Sequence, residues 1–151
     1  MQVLKCIKQQ MTTTTMKIRS YSELKPLVTI EDRFEYLKLE GVVGRSTYGF
    51  DRYINQKFYT SYEWKLAREA VIIRDNGCDL GILGYEIYGS LLIHHMNPMT
   101  MEDIVHGEEW IFSPEYLITT THFTHNAIHY GHNNLLPKVV IVRNPNDTKL
   151  W

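Results

Sequence analysis

The sequence predicts a small α+β domain, and three observations carry that expectation. Apolar residues recur at helical spacing in two segments of the first half, around Phe34 and from Trp64 to Val71. From Tyr85 onward they gather instead into short runs rich in leucine and β-branched side chains. A length of 151 residues, with 44% hydrophobic and 22% charged residues, suits one compact domain with a real core.

Taken in order, residues 1–16 hold the polar stretch QQMTTTTM and are expected to form a flexible tail, with Met16 a candidate second start. The single folded domain is then expected over residues 17–151. Thr29, with Asp32 three positions on, reads as the N-cap of a helix. Phe34, Tyr36 and Leu37 give that helix an apolar side, and Gly41 is expected to stop it. The stretch GVVGRSTYGFDRY (41–53) holds three glycines and reads as an ordered loop.

A second helix is expected from Thr60 or Ser61 to about Arg74, with Glu63 completing a capping box. Trp64, Ala67, Val71 and Ile72 would be its buried face, and Asn76-Gly77 a tight turn after it. Ser90–His95 (SLLIHH) reads as a strand ending in two histidines, followed by a loop and a short helical turn near Met101–Val105. Tyr116–Thr120 (YLITT) reads as a second strand. Thr121 is a good N-cap for a helix running through His125 and His129 to Gly131. Lys138–Arg143 (KVVIVR) reads as one more strand.

Bulk properties narrow the setting. No run approaches the ~18 apolar residues of a membrane helix, so no membrane partner is expected. The N-terminus lacks the apolar core of a secretory signal, and Cys6 and Cys78 cannot build a disulfide framework. A cytoplasmic setting follows as the expectation. The net charge of −1 is unevenly divided. Residues 1–76 carry 13 Lys/Arg against 9 Asp/Glu, a balance of +4, whereas residues 77–151 carry 3 against 8, a balance of −5. Positive charge therefore sits ahead of the histidines, where it would grip phosphates.

The chemistry lies in the histidine spacing. His125 and His129 stand at i and i+4, so on a helix both imidazoles project from one face and can share a metal ion. The strand end at His94-His95 would supply a third ligand. Neighbours on a strand point to opposite sides, so one of the two can bind the ion while the other is left for proton transfer. Either motif alone is more often surface polarity or packing; their joint occurrence in strand–loop–strand–helix order is the informative feature.

The segments LLIHHMNPMT and PEYLITTTHFTHNAIHYG resemble the HNH nuclease motif, close to the DNase colicin branch with its HH-x-x-P, strand and H-x-x-x-H helix. The preceding FYTSYEWKLAREAVIIRDNGCDLG resembles the lead-in of phage-encoded HNH proteins, so the likeness spans roughly residues 58–131. The resemblance implies a ββα-metal (His-Me finger) catalytic hairpin behind packing helices. It makes His94, His125 and His129 the ligands of one divalent metal and His95 the general base. Three imidazoles suit Zn²⁺, Ni²⁺ or Mn²⁺ better than Mg²⁺.

Two departures from the motif stand out. Its middle Asn aligns with Tyr116, and Asn126 lies nearby beside His125. The paired CxxC zinc site of many relatives is reduced to Cys78, followed by Asp79, Leu80 and Gly81. Arg74 is a candidate to approach the scissile phosphate or to pair with Asp75. Arg68, and Arg45, Arg52 and Lys57 among their aromatic neighbours, are candidate DNA contacts. His122 reads as a solvated surface histidine, with a phosphate contact as the alternative; His106 and His132 read as ordinary loop residues.

The activity implied is phosphodiester hydrolysis on DNA, by nicking or double-strand cleavage, in a phage or prophage protein serving genome packaging or homing. Phage terminase or portal proteins would then be partners. The alternatives are a non-catalytic DNA-binding protein that keeps the metal as a structural staple, and an interaction protein whose histidines bind no metal.

Overall fold

The computed structural model describes residues 17–39 and 52–137. The expected tail over 1–16 with Cys6 and Met16, residues 41–51 of the expected loop with Gly41 and Arg45, and the expected strand over 138–143 lie outside those residues. The described part is α+β, with helices and two small antiparallel sheets. None of its helices is long and apolar enough to cross a membrane.

A short helix, α1 (Tyr21–Leu24), opens the fold under a Ser20 cap. The second, α2 (Ile30–Leu37), starts where expected, with the Thr29 hydroxyl accepting from the Asp32 N–H at 3.0 Å. It ends at Leu37 rather than running towards Gly41, because Lys38 turns to φ −52°, ψ 136°. Leu39 then becomes buried and its N–H donates to the Ile128 carbonyl at 2.9 Å. That tertiary contact outweighs another helical turn.

The helix α3 (Arg52–Thr60) takes in the last residues of the segment read as loop. It is followed by α4 (Tyr62–Arg74), whose N-cap is Ser61, with the Trp64 N–H donating to the Ser61 hydroxyl. The expected capping box does not form. Glu63 is the second helical residue, and the Thr60 hydroxyl instead donates back to the Gln56 carbonyl at the end of α3. Trp64, Ala67 and Val71 are the buried face of α4, as their spacing predicts, while Ile72 is only half-buried.

After the Asn76-Gly77 turn comes a ribbon of β1 (Cys78–Asp79) and β2 (Tyr85–Glu86). The second sheet pairs β3 (Leu92–His95) with β4 (Leu117–Thr120), setting His94 opposite Ile118 and His95 opposite Leu117. Between them, α5 (Met101–His106) carries a capping box of Thr100 and Asp103 and ends on His106, a helical residue where the sequence predicts a loop. Tyr116 sits in the tight turn Pro114–Tyr116 just before β4 rather than within it. The last helix, α6 (His122–Tyr130), is capped by Thr121 and closed by Gly131 at φ 68°, a left-handed conformation that suits glycine.

The β3–β4 pair divides the interior. On one side Leu24, Leu37, Leu39, Met96, Ile118 and Ile128 form a cluster; on the other Phe58, Trp64, Ala67, Val71, Ile111 and Leu117 form a second. Side chains alternate along each strand, so Leu117 and Ile118, consecutive on β4, enter opposite clusters. Each fully buried leucine or isoleucine contributes roughly 1.5–3 kcal/mol of transfer free energy. Both faces of a two-stranded sheet are thereby covered.

A candidate metal centre between a strand and a helix

The alternation that splits the core also splits the histidine pair. His94 turns towards α6, where it meets His125 and His129 edge-on, with ring centroids 5.2 and 5.0 Å away. The i,i+4 spacing brings the latter two rings to 4.2 Å, with their Nε2 atoms 3.0 Å apart. One nitrogen from each of the three lies within 4.8 Å of the others. Among the described residues this is the one group of such side chains with the spacing to hold a metal ion.

The donor atoms fit such an ion. His94 is 2% exposed, and its buried Nε2 has no hydrogen-bond partner. A buried nitrogen left unpaired is costly unless something supplies a positive or electrophilic partner. Burial, and then the neighbouring imidazoles and Arg19, hold His94 well below the ordinary histidine range. Burial likewise lowers His125 and, with His125 beside it, brings His129 down to about 4. All three rings are therefore neutral at pH 7, the form in which imidazole ligates metal.

His95 occupies the other face. It is 9% exposed, stacked on Trp64 at 5.2 Å and 17°, with Phe58 at 6.0 Å. Its Nε2 lies 2.9 Å from the Ile111 carbonyl, which can only accept, so Nε2 carries the proton and Nδ1 the lone pair. Burial pushes its pKa down to about 4.

The remaining candidates separate. The Arg74 guanidinium pairs with Asp75 through Nε at 2.7 Å, donates to the Pro114 and Leu117 carbonyls, and stacks on Tyr21. It is a brace for the approach to β4, so of its two readings the ion pair is the one formed. Tyr116 packs edge-on to Trp110, and its carbonyl accepts from the Met96 N–H just beyond β3. Asn126 bonds to His122 one turn back and stands beside His125 on the helix. Lys57 on α3 and Arg68 on α4 are exposed, as are His106, His122 and His132, while Arg52 is the first residue of α3.

Sequence reasoning missed the residues that hold these elements in place. Asp79, fully buried, receives donors from Gly81, Thr121 and Thr124 at the start of α6. Arg33, 3% exposed, donates to the carbonyls of Leu27 and Leu80. Arg19 donates to the carbonyls of Tyr36 and Lys38 while Asn97, two residues past β3, bonds its backbone. A charged residue seldom lies fully inside, and a single sequence offers no signal for it beyond the tight DLG turn at 79–81. Comparison with family models, curated proteins and solved structures finds no match to this chain.

Proposed function

We propose that the chain is a metal-dependent DNA endonuclease of the HNH, ββα-metal type, with His94, His125 and His129 holding one divalent ion. The observation that carries this reading is the meeting of a strand histidine with an i,i+4 helix pair around an unpartnered, buried Nε2. A bound ion there would supply Lewis-acid stabilisation to a non-bridging phosphate oxygen and the leaving 3′-oxygen. All-nitrogen ligation favours Zn²⁺, Mn²⁺ or Ni²⁺ over Mg²⁺. In this reading His95 is the general base. Its neutral ring, held by one nitrogen on the Ile111 carbonyl, keeps the other nitrogen to take a proton from the attacking water. Exposed Lys57 and Arg68, with Arg45 and Arg52, are the proposed phosphate contacts.

One observation favours a second reading, a DNA-binding protein in which the metal is a structural staple. His95 is enclosed by Trp64, Phe58 and Trp110 on the face of β3 away from the three-histidine cluster. Cleavage of supercoiled plasmid with Mn²⁺, Mg²⁺, Ni²⁺ or Zn²⁺ decides between them. The endonuclease nicks the plasmid with at least one ion, His129→Ala abolishes it, and His95→Ala slows it ~10²-fold or more. Metal-linked thermal stabilisation without nicking under any ion would establish the staple instead.

A further inference from the structure

Among the described residues, the outer edge of β4, the one not paired to β3, carries no third strand. Carboxylates stand in its place. Asp75, at the end of α4, accepts the Thr119 N–H at 2.8 Å, and Asp79, four residues on, accepts the Thr121 N–H at 2.9 Å. Between them the Leu80 N–H donates to the Thr119 carbonyl at 2.9 Å. The same Asp79 oxygen, Oδ2, also accepts the hydroxyls of Thr121 at 2.8 Å and Thr124 at 2.6 Å. Its other oxygen takes the Gly81 N–H at 2.9 Å, so all the donors that reach Asp79 come from its own turn and the start of α6. The fit is tight: a Cβ on Gly81 would come within 2.3 Å of Thr124 Cγ2.

We infer that Asp79 is a positioning residue for the metal centre, pinning the first turn of α6 to the 79–81 turn, which Leu80 in turn ties to β4, and so fixing His125 and His129 at the height of His94. Thr121 caps α6 and Thr124 lies one residue before His125. Its neighbour β3 carries His94 opposite Ile118, three residues before Thr121. A shift of α6 by one ångström against β4 would change the nitrogen spacing of the trio by a comparable amount. Placing a buried carboxylate at a helix N-terminus also suits the helix dipole. Burial raises the Asp79 pKa while the four donors oppose that rise. The inference rests on the metal reading above for its consequence, though the pin itself can be measured without metal.

The test compares wild type with Asp79→Asn and the gentler Thr124→Val, which keeps shape and removes one donor. Amide hydrogen exchange in metal-free protein reads the pin. In Asp79→Asn the amides of residues 124–128 in α6 should exchange at least ~10-fold faster, while those of 65–71 in α4 stay within ~2-fold. Zn²⁺ titration reads the consequence, a ~10-fold or greater loss of affinity in Asp79→Asn, with altered visible bands in the Co²⁺-loaded protein. Equal acceleration in α4 and α6 would mark Asp79 as an ordinary core residue and overturn the inference. So would a loosened α6 that binds Zn²⁺ with wild-type affinity. If Asp79→Asn does not fold, Thr124→Val decides by the same pattern at smaller amplitude. Wild type that binds no metal sinks the metal reading, and the exchange pattern alone then decides the pin.

Discussion

His94 and His95 are the same side chain at consecutive positions of one strand, yet they sit in unlike surroundings. His94 faces two more imidazoles and keeps a buried nitrogen with no partner. His95 faces aromatic rings and gives its Nε2 proton to a backbone carbonyl. The one-residue alternation of a strand produces this difference, and neither histidine needs a special backbone for it. On the His94 side the ring is left with unused ligand capacity, whereas on the His95 side it is oriented and packed among aromatic rings. Residue type alone therefore does not assign chemistry; the neighbouring layer does.

The comparison breaks first at Trp64, the ring stacked on His95. Trp64 is 6% exposed and joins the cluster of Phe58, Val71 and Leu117. Trp64→Ala should cost ~3–5 kcal/mol in urea denaturation, the usual penalty for emptying so large a core position. If the two faces are as separate as the packing indicates, Zn²⁺ affinity of the folded variant changes no more than ~2-fold, the additivity expected of distant sites. A loss of affinity as large as that from His129→Ala would show the faces to be one unit.

Acid should sharpen the same contrast. The folded pKa of His95, about 4, lies below its unfolded value of 6.5, so between these pH values the unfolded chain binds a proton that the folded chain refuses. Stability is thus full above about pH 6.5, falls as pH drops, and levels off below about pH 4. A shift of this size corresponds to about 3 kcal/mol from His95 alone. His94, His125 and His129 shift in the same direction. Denaturation of metal-free protein at pH 7.5 and 4.5 should show the loss, and His95→Phe should show a shallower one. Saturating Zn²⁺ should steepen the acid loss of wild type, because protons and metal compete for the His94 side.

Much of this arrangement was legible in the sequence because it follows from period and caps. The HxxxH helix, its Thr121 cap and Gly131 stop, the strand ending at His95 and the buried face Trp64–Ala67–Val71 all emerge where the spacing puts them. What was not legible depends on contacts distant in sequence. Helix α2 stops early because Leu39 finds Ile128, 89 positions on, and Arg74 is spent on carbonyls 40 and 43 positions on. Asp79 looks like a turn residue in sequence and proves to be fully buried under α6. The strand alternation predicts that His94 and His95 diverge, but which of them meets α6 is set by the register Ile118–His94.

The smallest effect expected concerns Asn126, on the His94 side. It bonds His122 at 3.2 Å and supports His125 from the partly exposed face of α6. Water can replace an amide there, so Asn126→Ala should move stability by less than ~0.5 kcal/mol, as for surface positions generally. The Asn126 amide, as an acceptor beside the His125 ring, raises the His125 pKa against the lowering by burial, so its removal should lower that pKa further. The direction is measurable by NMR titration of the His125 ring in metal-free protein. An unchanged ring titration would mean that the amide touches His122 alone. A drop confined to His125, with His95 unmoved, would show that even a weak perturbation stays on its own face of the strand.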